Sequence, residues 1–190
     1  MKIVLFVIFA LWLVKISKDL LFWVYLWQLK EYRLDRMRAH FELPSAKKIF
    51  FNKFYFGKVV LLLGSGLLFI DVWQFFFQII AGALYSVFGL KSIYEIYRKK
   101  IREQIFTKKA VLILGLTLIP VVSISFFTYY KTSPVGFLSS ILFLDLLIPL
   151  IINGIVGLIK FPSEFLKNRI IKKAKAKRED MKDILVIGIT

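Results

Sequence analysis

Long apolar runs alternate along this chain with short, strongly basic blocks. Residues 3–14 and 20–29 are almost wholly apolar, and Lys15, Lys18 and Asp19 sit between them on one helical face. Residues 59–90 are apolar apart from Asp71, Gln74 and Gln78. Residues 110–130 carry no charge at all, and 137–159 carry only Asp145. About 20 apolar residues span the roughly 30 Å of hydrocarbon in a bilayer, so these runs predict membrane helices near 3–29, 59–90, 110–130 and 137–159. The first forty residues read as one long helix in two parts. The run 59–90 would be about 48 Å long as one straight helix, so it either tilts and protrudes or turns back as a hairpin. The motif GSG at 64–66 fits a bend or a close packing point within it.

The basic blocks occupy residues 30–58, 91–109 and 160–183. Four simple crossings would put the first two on opposite faces, whereas Lys and Arg collect on the cytoplasmic side. A hairpin at 59–90, giving five crossings with the N-terminus outside, removes the conflict. A first segment that stays at the interface removes it too. In either case the link 131–136 is expected outside and the C-terminal tail inside. Trp23, Tyr25 and Trp27 before Lys30 fit an aromatic belt at the membrane boundary. Pro44 and Ser45 break the helical pattern of the first basic block. Pro162 suits the start of a basic amphipathic helix over 161–183 that lies on the membrane surface.

Composition sharpens this picture. Hydrophobic residues make up 58% of the 190, and the mean hydropathy is +0.72. Lys and Arg number 28 against 12 acidic residues, a formal charge of +16. Set beside apolar runs, that excess points to the lipid bilayer and its anionic headgroups as partners, and not to nucleic acid. Cysteine is absent, which excludes disulfides and thiolate chemistry. The fold class is all-α: a polytopic transmembrane helical bundle with amphipathic interfacial helices.

Candidate chemistry is sparse. Asp71, Asp145 and Asn153 are the polar residues within the spans proper, a possible intramembrane polar site. Asp145 lies four residues before Pro149, which removes a helical hydrogen bond and frees a carbonyl. Lys15 and Asp19 form either a packing ion pair, with Lys18 reaching towards the surface, or part of a polar site inside the bundle. His40, the only histidine, has no metal-binding spacing and reads as a surface residue. No Ser-His-Asp set, carboxylate pair or metal-spaced cluster occurs, so neither a catalytic residue nor a cofactor or metal ligand is assigned in this chain.

The last residues, ILVIGIT at 184–190, read as a strand buried on both faces of a parallel sheet. An isolated strand has no sheet to join, so it is expected to be the first strand of an α/β domain absent from these 190 residues. The segment RIIKKAKAKREDMKDILVIGIT resembles the lead-in to the ATP-binding domain of Mur ligases, where such a strand feeds a glycine-lysine phosphate loop. YLWQLKEYRLDRMRAHF at 25–41 and FLKNRIIKKAKAKR at 165–178 are similar to the membrane-embedded N-terminal region of some bacterial Mur ligase family proteins. That family includes proteins labelled as the UDP-N-acetylmuramoyl-tripeptide–D-alanyl-D-alanine ligase. The resemblance implies a membrane anchor for a peptidoglycan-precursor ligase in the bacterial plasma membrane, near lipid-linked cell-wall machinery. It also implies ATP and Mg²⁺ in the domain beyond Thr190. The other reading of the residues is a complete small polytopic protein, a transporter component or scaffold.

Overall fold

The computed structural model describes residues 2–44, 46–47, 53–65, 71–100 and 105–180, with backbone alone at 53–54, 71–72, 161–164, 166–167 and 179–180. The expected strand at 184–190 lies outside the described residues. The described residues form helices and no strand: α1 (Lys2–Leu29), α2 (Leu34–Glu42), α3 (Lys53–Gly64), α4 (Asp71–Tyr97), α5 (Lys108–Lys131) and α6 (Pro134–Asp180). Trp73–Tyr97, Lys108–Lys131 and Pro134–Lys160 are each long and apolar enough to cross a membrane. Helix α1 is as long, at 28 residues, but carries Lys15, Lys18 and Asp19 midway.

Side-chain contacts fix the directions of the helices. Gly82 and Gly89 of α4 lie against Ile8 and Leu11 of α1, and Lys18 meets Glu95 further along, so α1 and α4 run parallel. A Cβ at Gly89 would sit 2.5 Å from the Leu11 Cβ and 2.9 Å from its carbonyl oxygen. Only glycine permits so close an approach, which matters because lipid-embedded helices associate through packing, without the gain of leaving water. Helix α5 runs the other way. The Tyr129 hydroxyl donates to the Lys2 carbonyl at one end (3.3 Å), and the Gln28 amide donates to the Ile105 carbonyl at the other. Ser133 starts α6 by accepting from the Gly136 N–H (3.2 Å), with Pro134 in its first turn, and α6 then follows α1.

Helices α3 and α4 form an antiparallel hairpin. The Trp73 indole donates to the Gly64 carbonyl (2.7 Å), and Lys58 reaches the ring of Phe88 (5.5 Å to its centroid). Among the described residues the apolar run 59–90 is therefore carried by two antiparallel helices, as the hairpin expectation has it. At 12 residues α3 is about 18 Å long, too short to cross alone. The ends of α1 and α4, the start of α5 and the far part of α6 gather at one end of the bundle, here the basic end. The N-terminus and the 131–134 link lie at the opposite end.

Three expectations are corrected. The first helix stops at Leu29, because Glu31 and Tyr32 both take left-handed backbone conformations (φ 54°) and swing α2 aside. Trp23 and Trp27 are not a boundary belt; both are buried within the bundle. Pro162 does not begin a helix, since α6 runs unbroken for 47 residues, about 70 Å, through both Pro149 and Pro162. A proline inside a helix costs a hydrogen bond, and at both positions the helix continues through it.

The outer surface of the bundle is apolar, with Phe75, Ile79, Val87, Ile119, Phe126, Leu150 and Leu158 all exposed. That is the pattern of a helical membrane protein, whose outer face meets lipid. Within the uncharged span, Thr117 and Ser125 each return their hydroxyl to a carbonyl of their own helix (2.7 Å each) and so need no partner elsewhere.

Candidate functional site

Four helices bring an ion cluster together halfway through the bundle. Lys15 of α1 lies 13 residues, about 20 Å, from the start of its helix. Its ammonium bonds to the Asp145 carboxylate on α6 and also to Asp19 one turn on (2.8 Å). The other Asp145 oxygen takes Lys58 of α3 (2.7 Å) and the hydroxyl of Tyr85 on α4 (3.5 Å). The Asp145 side chain is only 2% exposed, and Lys58 12%. A lone carboxylate or ammonium at this depth costs several kcal/mol, on the order of the penalty for any buried ion, and each here is offset by its neighbours.

The cluster continues towards the basic end. Lys18 pairs with Glu95 (2.5 Å), and Lys91 approaches the same carboxylate more distantly (3.9 Å). Between these groups lies a cavity of about 300 Å³. Lys15, Lys18, Asp19, Lys58, Lys91 and Asp145 supply its charged lining. Phe22, Trp23, Phe88 and Ile148 supply apolar walls. Tyr55 and Lys58 line it from the early turns of α3. Pro149 also lines the cavity, and one turn before it the Tyr55 hydroxyl donates to the Leu146 carbonyl (3.3 Å).

The polar residues anticipated within the spans do not form one site. Asp145 is the centre of the cluster. Asn153 lies two turns further along α6, about 12 Å away, and accepts a hydrogen bond from the Trp27 indole (3.0 Å). The Asp71 side chain lies outside the described residues. The Lys15–Asp19 pair exists, but as part of the polar site, and Lys18 finds Glu95 instead of reaching for the surface. Lys58 and Tyr85 went unnoticed in the sequence. Lys58 ends a basic block, and its one distinguishing signal is the apolar run that begins directly after it.

At the basic end, Arg33 grips Asp35 with two hydrogen bonds (3.2 and 2.6 Å), which hold the carboxyl at about 2. His40 is half-buried with its Nε2 covered and without a hydrogen-bond partner among the described residues. Desolvation, aided by Lys30, keeps its imidazole below the usual histidine range. No group of three or more acidic or histidine side chains converges among the described residues.

Fold and site together define a helical membrane bundle with a charged cavity among α1, α3, α4 and α6. Compared with known proteins, the chain matches no family model, no curated protein and no solved structure.

Proposed function

We propose that this chain is the membrane anchor of a Mur-type ligase, holding an ATP-dependent, amide-forming domain against the cytoplasmic face of a bacterial plasma membrane. The observation that carries the reading is the continuity of α6. From Lys160 to Asp180 it projects as one helix for about 30 Å beyond the apolar span. Its exposed side chains include Arg169, Lys172, Lys173, Lys175, Lys177 and Arg178. A continuous cationic helix is drawn to anionic headgroups through the charges nearest the surface, and its course sets the direction in which the chain proceeds. The arm leads into the residues that resemble the entry to the Mur ligase ATP-binding domain. The described basic residues at 30–42, 91–100 and 108–109 and those in the far part of α6 gather at one end, which the positive-inside rule assigns to the cytoplasm, where ATP is found. ATP and Mg²⁺ belong to that further domain in this reading, and the chain's own part is to anchor and orient it.

Reading the source gene beyond codon 190 tests the proposal. An in-frame glycine-rich loop ending in Gly-Lys-Ser or Gly-Lys-Thr is the expected result. A stop codon directly after Thr190 would overturn it. A second reading, a small transporter component, draws on the ion cluster around Asp145 at mid-membrane depth. It requires substrate flux through reconstituted vesicles that Asp145→Asn abolishes.

A further inference from the structure

The cavity between α1, α3, α4 and α6 carries more positive than negative charge. Its lining lysines and their ion-pair partners comprise four ammonium groups, Lys15, Lys18, Lys58 and Lys91, and three carboxylates, Asp19, Glu95 and Asp145. The balance is one positive charge, counted among the described residues. Asp145 is already shared by Lys15, Lys58 and Tyr85, and Glu95 lies closer to Lys18 than to Lys91. The surplus therefore falls at Lys91, which is 61% exposed at the side of the cavity nearer the basic end.

From this we infer that the cavity binds a single phosphate group, drawn in at headgroup depth by Lys91 and Lys18, with Lys58 and Lys15 below. Lys15 and Lys58, buried beside apolar walls, act on an anion with less screening than a charge in water, while the exposed Lys91 acts from the mouth with more. Lysine suits the role because its ammonium is a mobile point charge that follows an anion, without the fixed fork that arginine presents to a carboxylate. The volume, about 300 Å³, admits a phosphate with a small headgroup and lies at the lower end of ligand cavities. Phe22, Trp23 and Phe88 offer contact to whatever apolar portion accompanies it. Membrane lipids and inorganic phosphate share this chemistry and differ in the apolar portion. The inference does not depend on what the C-terminal arm carries.

The test titrates the full chain, purified in uncharged detergent, with dioctanoyl phosphatidic acid, inorganic phosphate or dioctanoylglycerol, which has the same chains without phosphate. Tryptophan emission reports binding through Trp23. Phosphatidic acid is expected to bind saturably and dioctanoylglycerol not to bind. Comparable binding of inorganic phosphate identifies a soluble source, and binding of the lipid alone identifies a membrane source; both support the site. Lys91→Gln should weaken binding about threefold, as for loss of one partly exposed charge, with Lys91→Arg restoring it. Lys58→Gln should weaken it at least about tenfold, as for a buried charge contact. Lys108→Gln, outside the cavity lining, should change nothing. Three results overturn the inference: no binding of either phosphate probe, equal binding of dioctanoylglycerol, or unaltered affinity in Lys91→Gln. The last variant alters an exposed side chain, so the test stands even if Lys58→Gln does not fold.

Discussion

The two halves of the bundle are built from the same helices and solve different problems. Towards the N-terminal end, α1, α5 and α6 meet through Phe9, Trp12, Tyr129 and Phe137. Their ring centroids lie 5.4 to 6.0 Å apart, stacked or edge-on. Trp12, Ile141 and Leu142 there are completely buried. Such contacts contribute about 0.5–1.5 kcal/mol for each aromatic pair. Towards the basic end, one or two turns further along α1 and α6, the facing positions are Lys15, Asp19 and Asp145, joined by Lys58 of α3 and Glu95 of α4, and a cavity opens. The first half holds the helices together. The second contains groups that a purely structural bundle would do better without, since a buried ion cluster is often no more stable than apolar side chains of similar size.

The largest expected effect breaks the charged half. Asp145→Ala leaves Lys15 and Lys58 without their shared carboxylate and should cost about 3–5 kcal/mol, measured by unfolding of the purified chain in detergent. The combined replacement Lys15→Met, Lys58→Met and Asp145→Leu should recover most of that stability while abolishing phosphate binding. A triple variant as unstable as Asp145→Ala would mean that the cluster itself holds the fold.

A second comparison concerns two glycines. Gly89→Ala drives a methyl group into the Leu11 backbone and should destabilise by about 1–3 kcal/mol. Nothing lies within 4 Å of a Cβ at Gly154, so Gly154→Ala should be neutral or gain up to about 1 kcal/mol of helix propensity in the same assay. Smaller again is Trp27→Phe. It removes the donor to Asn153 and should cost about 0.6 kcal/mol, a typical side-chain hydrogen bond between membrane helices.

The smallest effect is a pH dependence at α2. The folded His40 value is below the ordinary 6.5 because burial, then Lys30, disfavours its cation. The unfolded chain therefore binds the proton more readily. The contribution of His40 to stability is complete above about pH 7 and declines as the pH falls through 6.5 towards the depressed folded value. Unfolding measured from pH 8 to 5 should show this decline in the wild type and lose it in His40→Gln.

Much of the fold could be read from the pattern of residues. The spans at 110–130 and 137–159 correspond to α5 and the first part of α6, because an unbroken apolar run of that length has few alternatives in lipid. The break within 59–90 was one of two options, since GSG marks a bend without saying how sharp it is. The end of α1 at Leu29 was hidden: Glu31 and Tyr32 are not residues that normally announce a left-handed turn. The site was half legible. Asp145 drew attention as a charge within a span. Its partners Lys58 and Tyr85 come from 87 and 60 residues away in sequence, and no local spacing reveals such a meeting. Trp27 looked like a boundary residue because aromatic residues near a lysine commonly are; its partner Asn153 lies on another helix.

The shared basic end is the central structural claim, and single-cysteine labelling in intact cells and inverted vesicles tests it most directly. The chain has no cysteine of its own, so each introduced thiol reports alone. Arg38→Cys, Lys99→Cys and Lys173→Cys should react with an impermeant reagent from one side of the membrane, and Ser133→Cys from the other. Labelling of Arg38→Cys and Lys99→Cys from opposite sides, as four simple crossings require, would contradict the α3–α4 hairpin and with it the cavity.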